Sequence, residues 1–229
     1  MERTPITELL DSDAGTRAEV EGSLADLRFF NRAFGGISTQ MALLQHVAQR
    51  LSLTRISLLE VAAGTGYLPL AVRDRMRERG IQVDITLLDR AGSHLNGSRN
   101  AVVADAVKLP FNTGSFDIVT SNLFVHHLAP AEVIEFCSDA LRVARVAVLI
   151  NDLVRSPMHL AAVYAGFPLY RSRLTRHDAP ASVRQAYTPE EMRRMLKKTP
   201  AAQLEITRHY FFRMGIIAWK NAARDVKDA

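Results

Sequence analysis

The chain has 229 residues, 48% of them hydrophobic and 23% charged, with a formal net charge of +5. That length suits one domain with a substantial core, and no apolar run approaches the ~20 residues of a membrane-crossing helix. The single cysteine, Cys137, excludes an intrachain disulfide and a cysteine zinc cluster, and the modest, dispersed positive charge lacks the interleaved aromatics of a nucleic-acid surface. The first residues carry no signal-peptide apolar segment, so cytoplasm is the expected compartment and a homodimer an open possibility.

Residues 1–22 are polar and mixed, with turn residues at Asp11-Ser12-Asp13-Ala14-Gly15; a short helix and a loosely held segment are expected there. Residues 23–34 place Leu24, Leu27, Phe30 and Phe34 at helical spacing, closed by Gly35-Gly36. Residues 38–51 predict a second amphipathic helix through Met41, Leu44, Val47 and Leu51. A buried strand follows near 56–62, a small-residue turn, and a helix near 67–79. Strands are expected near 84–89, 101–105, 117–123 and 144–150, with helices over 91–98 and 130–142 between them. This alternation argues for a parallel sheet covered on both faces. Residues 157–170 read as an apolar helix, and 171–186 as a polar, Arg- and Ser-rich insertion where a cap would sit. Thr188-Pro189-Glu190-Glu191 is a helix start: a capping Thr, Pro in the first turn, and acids at the positive end. Residues 203–212 and 214–220 predict a closing antiparallel pair with Gly215 near its turn, and the tail from Asn221 is expected to fray.

The chemistry concentrates at the first turn. Gly64 and Gly66 let the backbone approach a ligand closely, and the helix that follows presents free N–H groups and its positive end. Asp89 closes the second strand at the separation at which an acid reaches a ribose hydroxyl. Glu60-Val61-Ala62-Ala63-Gly64-Thr65-Gly66 resembles motif I of the class I S-adenosylmethionine-dependent methyltransferases, with Ala62 standing where the family usually has its first glycine. Asp89, Ala104-Asp105 with Leu109-Pro110-Phe111, the strand Phe116 to Asn122, and His126-His127-Leu128 match later family segments in order, from residue 56 to about 152. The resemblance implies a Rossmann-like, doubly wound, seven-stranded and mostly parallel α/β sheet with an antiparallel C-terminal hairpin. N-terminal helices over 1–52 would cover the active site, and the methyltransferase domain over 53–229 would carry a helical cap insertion at about 155–187.

It further implies S-adenosyl-L-methionine as cofactor and S-adenosyl-L-homocysteine as product. The cofactor would lie among Glu60, Ala62, Ala63, Gly64, Gly66, Asp89, Arg90, Asp105, Ala106 and Asn122. Asp89 would hold the ribose, and Asp105 with Ala106 would face the adenine. His127, His126 and, in the cap beside Asp178, His177 are candidate bases, since imidazole titrates in the useful range. Phe30 and Phe34 could line an acceptor pocket, and Arg173 and Arg176 could hold an acceptor anion. Asn122, Asn151 and Asp152 end neighbouring strands, but one carboxylate among three is a poor divalent-ion site, and no metal is expected. Strand four lacks the Asn-Pro-Pro-aromatic signature of enzymes that methylate amide or base nitrogens, which disfavours nucleic acid. The reading is therefore methyl transfer to a small aromatic or polyketide-like acceptor, at oxygen. Carbon methylation of the quinone-biosynthesis type, or a non-catalytic cofactor-binding domain, are the alternatives.

Overall fold

In the computed structural model, which describes residues 1–12, 14–92, 95 and 100–221, seven strands form one mixed sheet. They are β1 (Arg55–Val61), β2 (Gln82–Asp89), β3 (Ala101–Val103), β4 (Phe116–Asn122), β5 (Ala144–Leu153), β6 (Gln203–His209) and β7 (Arg213–Trp219). The order across the sheet is β3-β2-β1-β4-β5-β7-β6, and β1 to β5 run parallel. β7 pairs antiparallel with both β5 and β6. The chain walks outward from β1 through β2 to β3, then returns to β4 on β1's other side. Where the direction of winding reverses, between β1 and β4, loops part and leave a crevice beyond the strand carboxyl ends.

The helices are α1 (Arg17–Ala33), α2 (Gly36–Leu51), α3 (Tyr67–Arg77), α4 (Pro130–Val143), α5 (Pro157–Ala165), α6 (Arg173–Gln185) and α7 (Pro189–Leu196). The aliphatic runs of β1 and β5 are explained by two-sided burial. Leu59, Val61, Val148 and Ile150 pack with Phe136, Leu141 and Met192 from α4 and α7. Leu58, Ala147 and Leu149 pack on the other face with Leu44, Val47, Val72 and Met76 from α2 and α3. Each of these side chains larger than alanine, taken fully from water, contributes about 1.5–3 kcal/mol. Among the described residues no helix is long and apolar enough to cross a membrane.

Several elements differ from their sequence expectation. α1 starts at Arg17 rather than near 23, because Thr16 and Glu19 cap it reciprocally upstream of the first apolar position. Residues 1–12 are held, not loose: Arg3 donates to the carbonyls of Gln185, His126 and Leu128 and lies over the Tyr187 ring. The 171–186 insertion is helix α6 with Pro180 inside it, and its Asp178 carboxylate accepts the N–H groups of Leu9 and Leu10. The turn between β6 and β7 falls at Tyr210–Phe212, with Phe211 and Phe212 in the left-handed region. Gly215 lies within β7, where a Cβ would come within 2.8 Å of both His209 and Leu43. It is there for close packing, not for a turn. The third strand ends at Val103. The helix expected over 91–98 falls largely outside the described residues, as does the tail from 222.

Candidate active site

The chain leaves β1 through a tight bend. Ala62 is left-handed at φ 55°, which costs a residue with a Cβ roughly 1–2 kcal/mol. The Ala63 N–H donates to Leu88 O at 3.0 Å, and the Gly64 N–H donates to Asp89 Oδ2 at 2.7 Å, so β2 fixes the bend. A Cβ on Gly64 would meet nothing within 4 Å, which leaves that side of the bend open. Gly66 differs: it is buried, and a Cβ there would lie 2.7 Å from Leu87. Its missing side chain seats α3 against β2, and Gly66 does not line the crevice. α3 begins at Tyr67, so its positive end faces the bend.

Carboxylates surround this bend. Asp89 spans two backbone donors, with Oδ1 accepting the Ala91 N–H at 2.9 Å. Asp105, beyond β3, is exposed and accepts the Val107 N–H at 3.0 Å. Glu60 is 1% exposed and accepts from the Thr120 hydroxyl and from Asn122 Nδ2 at 2.9 Å. Asn122 Oδ1 in turn accepts from Asn151 Nδ2 at 2.7 Å. Burial outweighs these hydrogen bonds and lifts the Glu60 carboxyl to about 7.

A cavity of about 850 Å³ runs from the bend to a second, largely apolar end. There α1 contributes Phe30 and its C-cap residue is Phe34, the two ring centroids 5.7 Å apart, and Tyr170 stands 5.3 Å from Phe30. Beside this aromatic wall the helical turn Val125–His127 brings in two histidines. His126 is buried, its Nδ1 2.7 Å from Asp152 Oδ1 and its Nε2 3.5 Å from Glu8 Oε1. Burial by itself would lower the imidazole, but Asp152 and Glu8 prevail and raise it to about 10. His126 is therefore a buried cation, unsuited to accept a proton. His127 is partly exposed; its Nδ1 lies 3.0 Å from Asp11 Oδ2 and its Nε2 3.9 Å from Glu8 Oε1. Burial opposes ionisation of Glu8, yet the two histidines and the Ser182 hydroxyl hold its carboxyl below the usual range.

Residues 59–147 match the family described as the methyltransferase domain. Over those residues the chain carries a methyltransferase domain, and its fold is that of S-adenosylmethionine-dependent methyltransferases.

The fold of this methyltransferase is similar to that of solved structures at low identity. The plantazolicin methyltransferase BpumL, solved with a monoazolic desmethylPZN analog and SAH, superposes with a TM-score of 0.68 at 13% identity, covering 93% of this chain and 94% of that one. The CMeT domain of the citrinin polyketide synthase gives 0.60 at 15%, covering 80% and 51%. A SAM-dependent methyltransferase from Aquifex aeolicus gives 0.50 at 16%, covering 76% and 88%. Among curated proteins, none matches the sequence.

The geometry around the bend suits such a cofactor: it offers an open side at Gly64, a helix start, an acid at the end of β2 and another just beyond β3. The cavity gathers Glu60, Ala62, Ala63, Gly64, Asp89, Arg90, Asp105, Ala106 and Asn122 at one end, and Phe30, Phe34, His126 and His127 at the other. Besides Gly66, three candidates fall elsewhere. His177 is exposed and pairs with Asp178, Arg173 pairs with Glu19, and Arg176 faces solvent. α6 turns Ala179, Ser182 and Val183 to the cavity instead. Asp152 and Asn151 point at His126 and Asn122, inside the protein. The sequence reading missed Glu8 and Asp11. No pattern along the chain marks them, since the contacts they make span more than a hundred residues.

Glu60 carries a prediction for stability. Its ordinary value is 4.5, and in the folded chain it is raised to about 7. The folded state thus holds a proton that the unfolded state has released, and the contribution present below pH 4.5 is lost as pH rises through 7. The loss is about 3 kcal/mol for a fully buried group. The melting temperature of the cofactor-free enzyme is expected to fall between pH 5 and 7.5, and Glu60→Gln to flatten that slope in thermal denaturation. An equal slope in both proteins would refute it.

Proposed function

We propose that this methyltransferase acts on a small, flat, partly apolar acceptor, aromatic or polyketide-like, and methylates it at oxygen. The observation that carries the reading is the continuity of the cavity. One unbroken space has acids and a helix start at one end, aromatic rings and a histidine pair at the other. Its volume of about 850 Å³ lies toward the upper part of the roughly 300–1,000 Å³ range of ligand sites.

Asp89 would hold the ribose, Asp105 and Ala106 the adenine, and Glu60 with the backbone of residues 62–64 the methionine end, with Arg90 alongside. When bound, the cofactor supplies a methyl group activated on a sulfonium. The protein's task is to hold a nucleophile in line with it, from which most of the acceleration derives. Phe30, Phe34 and Tyr170 would clasp a flat ring. His127 would stand against the acceptor hydroxyl, at the place where its proton must be lost and its oxygen held as an anion. Residues 1–52 would cover this end, and the cap at about 155–187 would close it.

A peptide acceptor is a second reading. It draws on the likeness to the plantazolicin methyltransferase and on Leu169 and Phe211, which line the cavity yet are 65% and 38% exposed at its rim. Incubation with isotopically labelled cofactor and parallel panels of phenols, polyketides and azole peptides, read by mass spectrometry, separates these. Labelled methyl ethers are the expected products. Label on nitrogen of a peptide, or on ring carbon, would replace the oxygen reading.

A further inference from the structure

We propose that Glu8, His126 and His127 bind a divalent first-row transition-metal ion at the acceptor end of the cavity. One ligand atom from each residue lies within 4.8 Å of the other two. The Nε2 atoms of His126 and His127 stand 3.5 and 3.9 Å from Glu8 Oε1. Ligands that share an ion at about 2.0–2.2 Å are roughly 3–3.5 Å from one another, so the His126–Glu8 pair already has that spacing and a swing of the partly exposed His127 ring toward them completes the set.

The surroundings favour this over a simple ion pair. Both rings are turned by carboxylates on their far nitrogens, Asp152 at 2.7 Å from His126 Nδ1 and Asp11 at 3.0 Å from His127 Nδ1. Backing carboxylates of this kind orient metal-bound imidazoles and raise their basicity. The rings lie 4.2 Å apart between centroids, and each presents Nε2 to the same carboxylate. Glu8 is oriented too, by the Ser182 hydroxyl at 2.5 Å and Gln185 Nε2 at 2.7 Å. An ion pair needs only His126. It gives no reason for a second imidazole, separately anchored, aimed at the same oxygen. Three carboxylates around two imidazoles also leave a field that a divalent cation balances.

Two imidazoles and one carboxylate select zinc, iron, cobalt or manganese over magnesium or calcium. All three residues line the cavity, so positions remain open on that side for an oxygen ligand. Binding displaces the Nε2 proton of His126 to solvent. The proposal deepens the reading of this end as the acceptor's: a hydroxyl on such an ion ionises near neutrality, and His127 serves by holding the ion.

Chelator-treated full-length enzyme titrated with Zn²⁺ by calorimetry, and with Co²⁺ by visible absorption, tests it. One ion per chain is expected, with Kd of about 1 µM or tighter. Glu8→Gln and His127→Ala should each weaken binding at least ~100-fold, and His177→Ala, outside the cavity, should leave it unchanged. If either variant fails to fold, Asp11→Asn keeps all three ligands and should weaken binding about 10-fold. No binding by the wild type at 100 µM Zn²⁺, or binding unaltered in the folded variants, overturns the site. S-adenosyl-L-homocysteine titrated into the same stripped protein separates the two readings: its binding survives if only the metal site is wrong, and its absence counts against the cofactor cradle instead.

Discussion

Replacing Asp89 with Ala is expected to raise the Kd for S-adenosyl-L-homocysteine roughly 10²–10³-fold, because hydrogen bonds to a charged group contribute about 1.5–3 kcal/mol each. This carboxylate has two duties. Its oxygens accept the N–H groups of Gly64 and Ala91 at 2.7 and 2.9 Å, which ties the bend after β1 to the end of β2. It also lines the cavity where a ribose would lie. Removal therefore loosens the cradle and deletes a ligand contact together. Asp89→Asn keeps one acceptor oxygen and should lose less. Calorimetric titration of the two variants checks the order, and an affinity within threefold of wild type for Asp89→Ala would remove this residue from the cofactor site.

Replacing His127 with Ala is expected to lower kcat about 10²–10⁴-fold, the usual range for a group on which the acceptor's loss of a proton depends, while the cofactor's Kd holds. His127 lines the acceptor end, and its Nδ1 is steadied by Asp11 at 3.0 Å. The neighbouring His126 cannot replace it, being buried as a cation between Asp152 and Glu8. His177→Ala is the matched comparison, since its ring lies on the solvent side of α6 and pairs with Asp178. Full turnover in His127→Ala, measured with labelled cofactor under single-turnover conditions, would take the histidine out of the reaction.

What could be read in the residues was whatever depends on neighbours along the chain. Aliphatic runs such as Ala144 to Ile150 announce strands covered on both faces, and β5 extends three residues further, to Leu153. The bend at 62–66 and the acid at 89 are spaced by the strand–turn–helix–strand unit itself, so their meeting at one end of the cavity was legible. The acceptor end was not. Glu8 reaches His126 across more than a hundred positions, and no periodicity records such a contact. α6 misled for a related reason. His177, Arg173 and Arg176 form its solvated side, while Asp178 and Ser182 turn inward to receive the N-terminal residues. Gly215 misled because glycine serves both turns and crowded strands, and only the approach of Leu43 and His209 tells which.

Arg3, bonded to three carbonyls, pins a strap whose Glu8 and Asp11 are part of the histidine cluster. Peeling that strap away would withdraw both acids from the histidines in one movement.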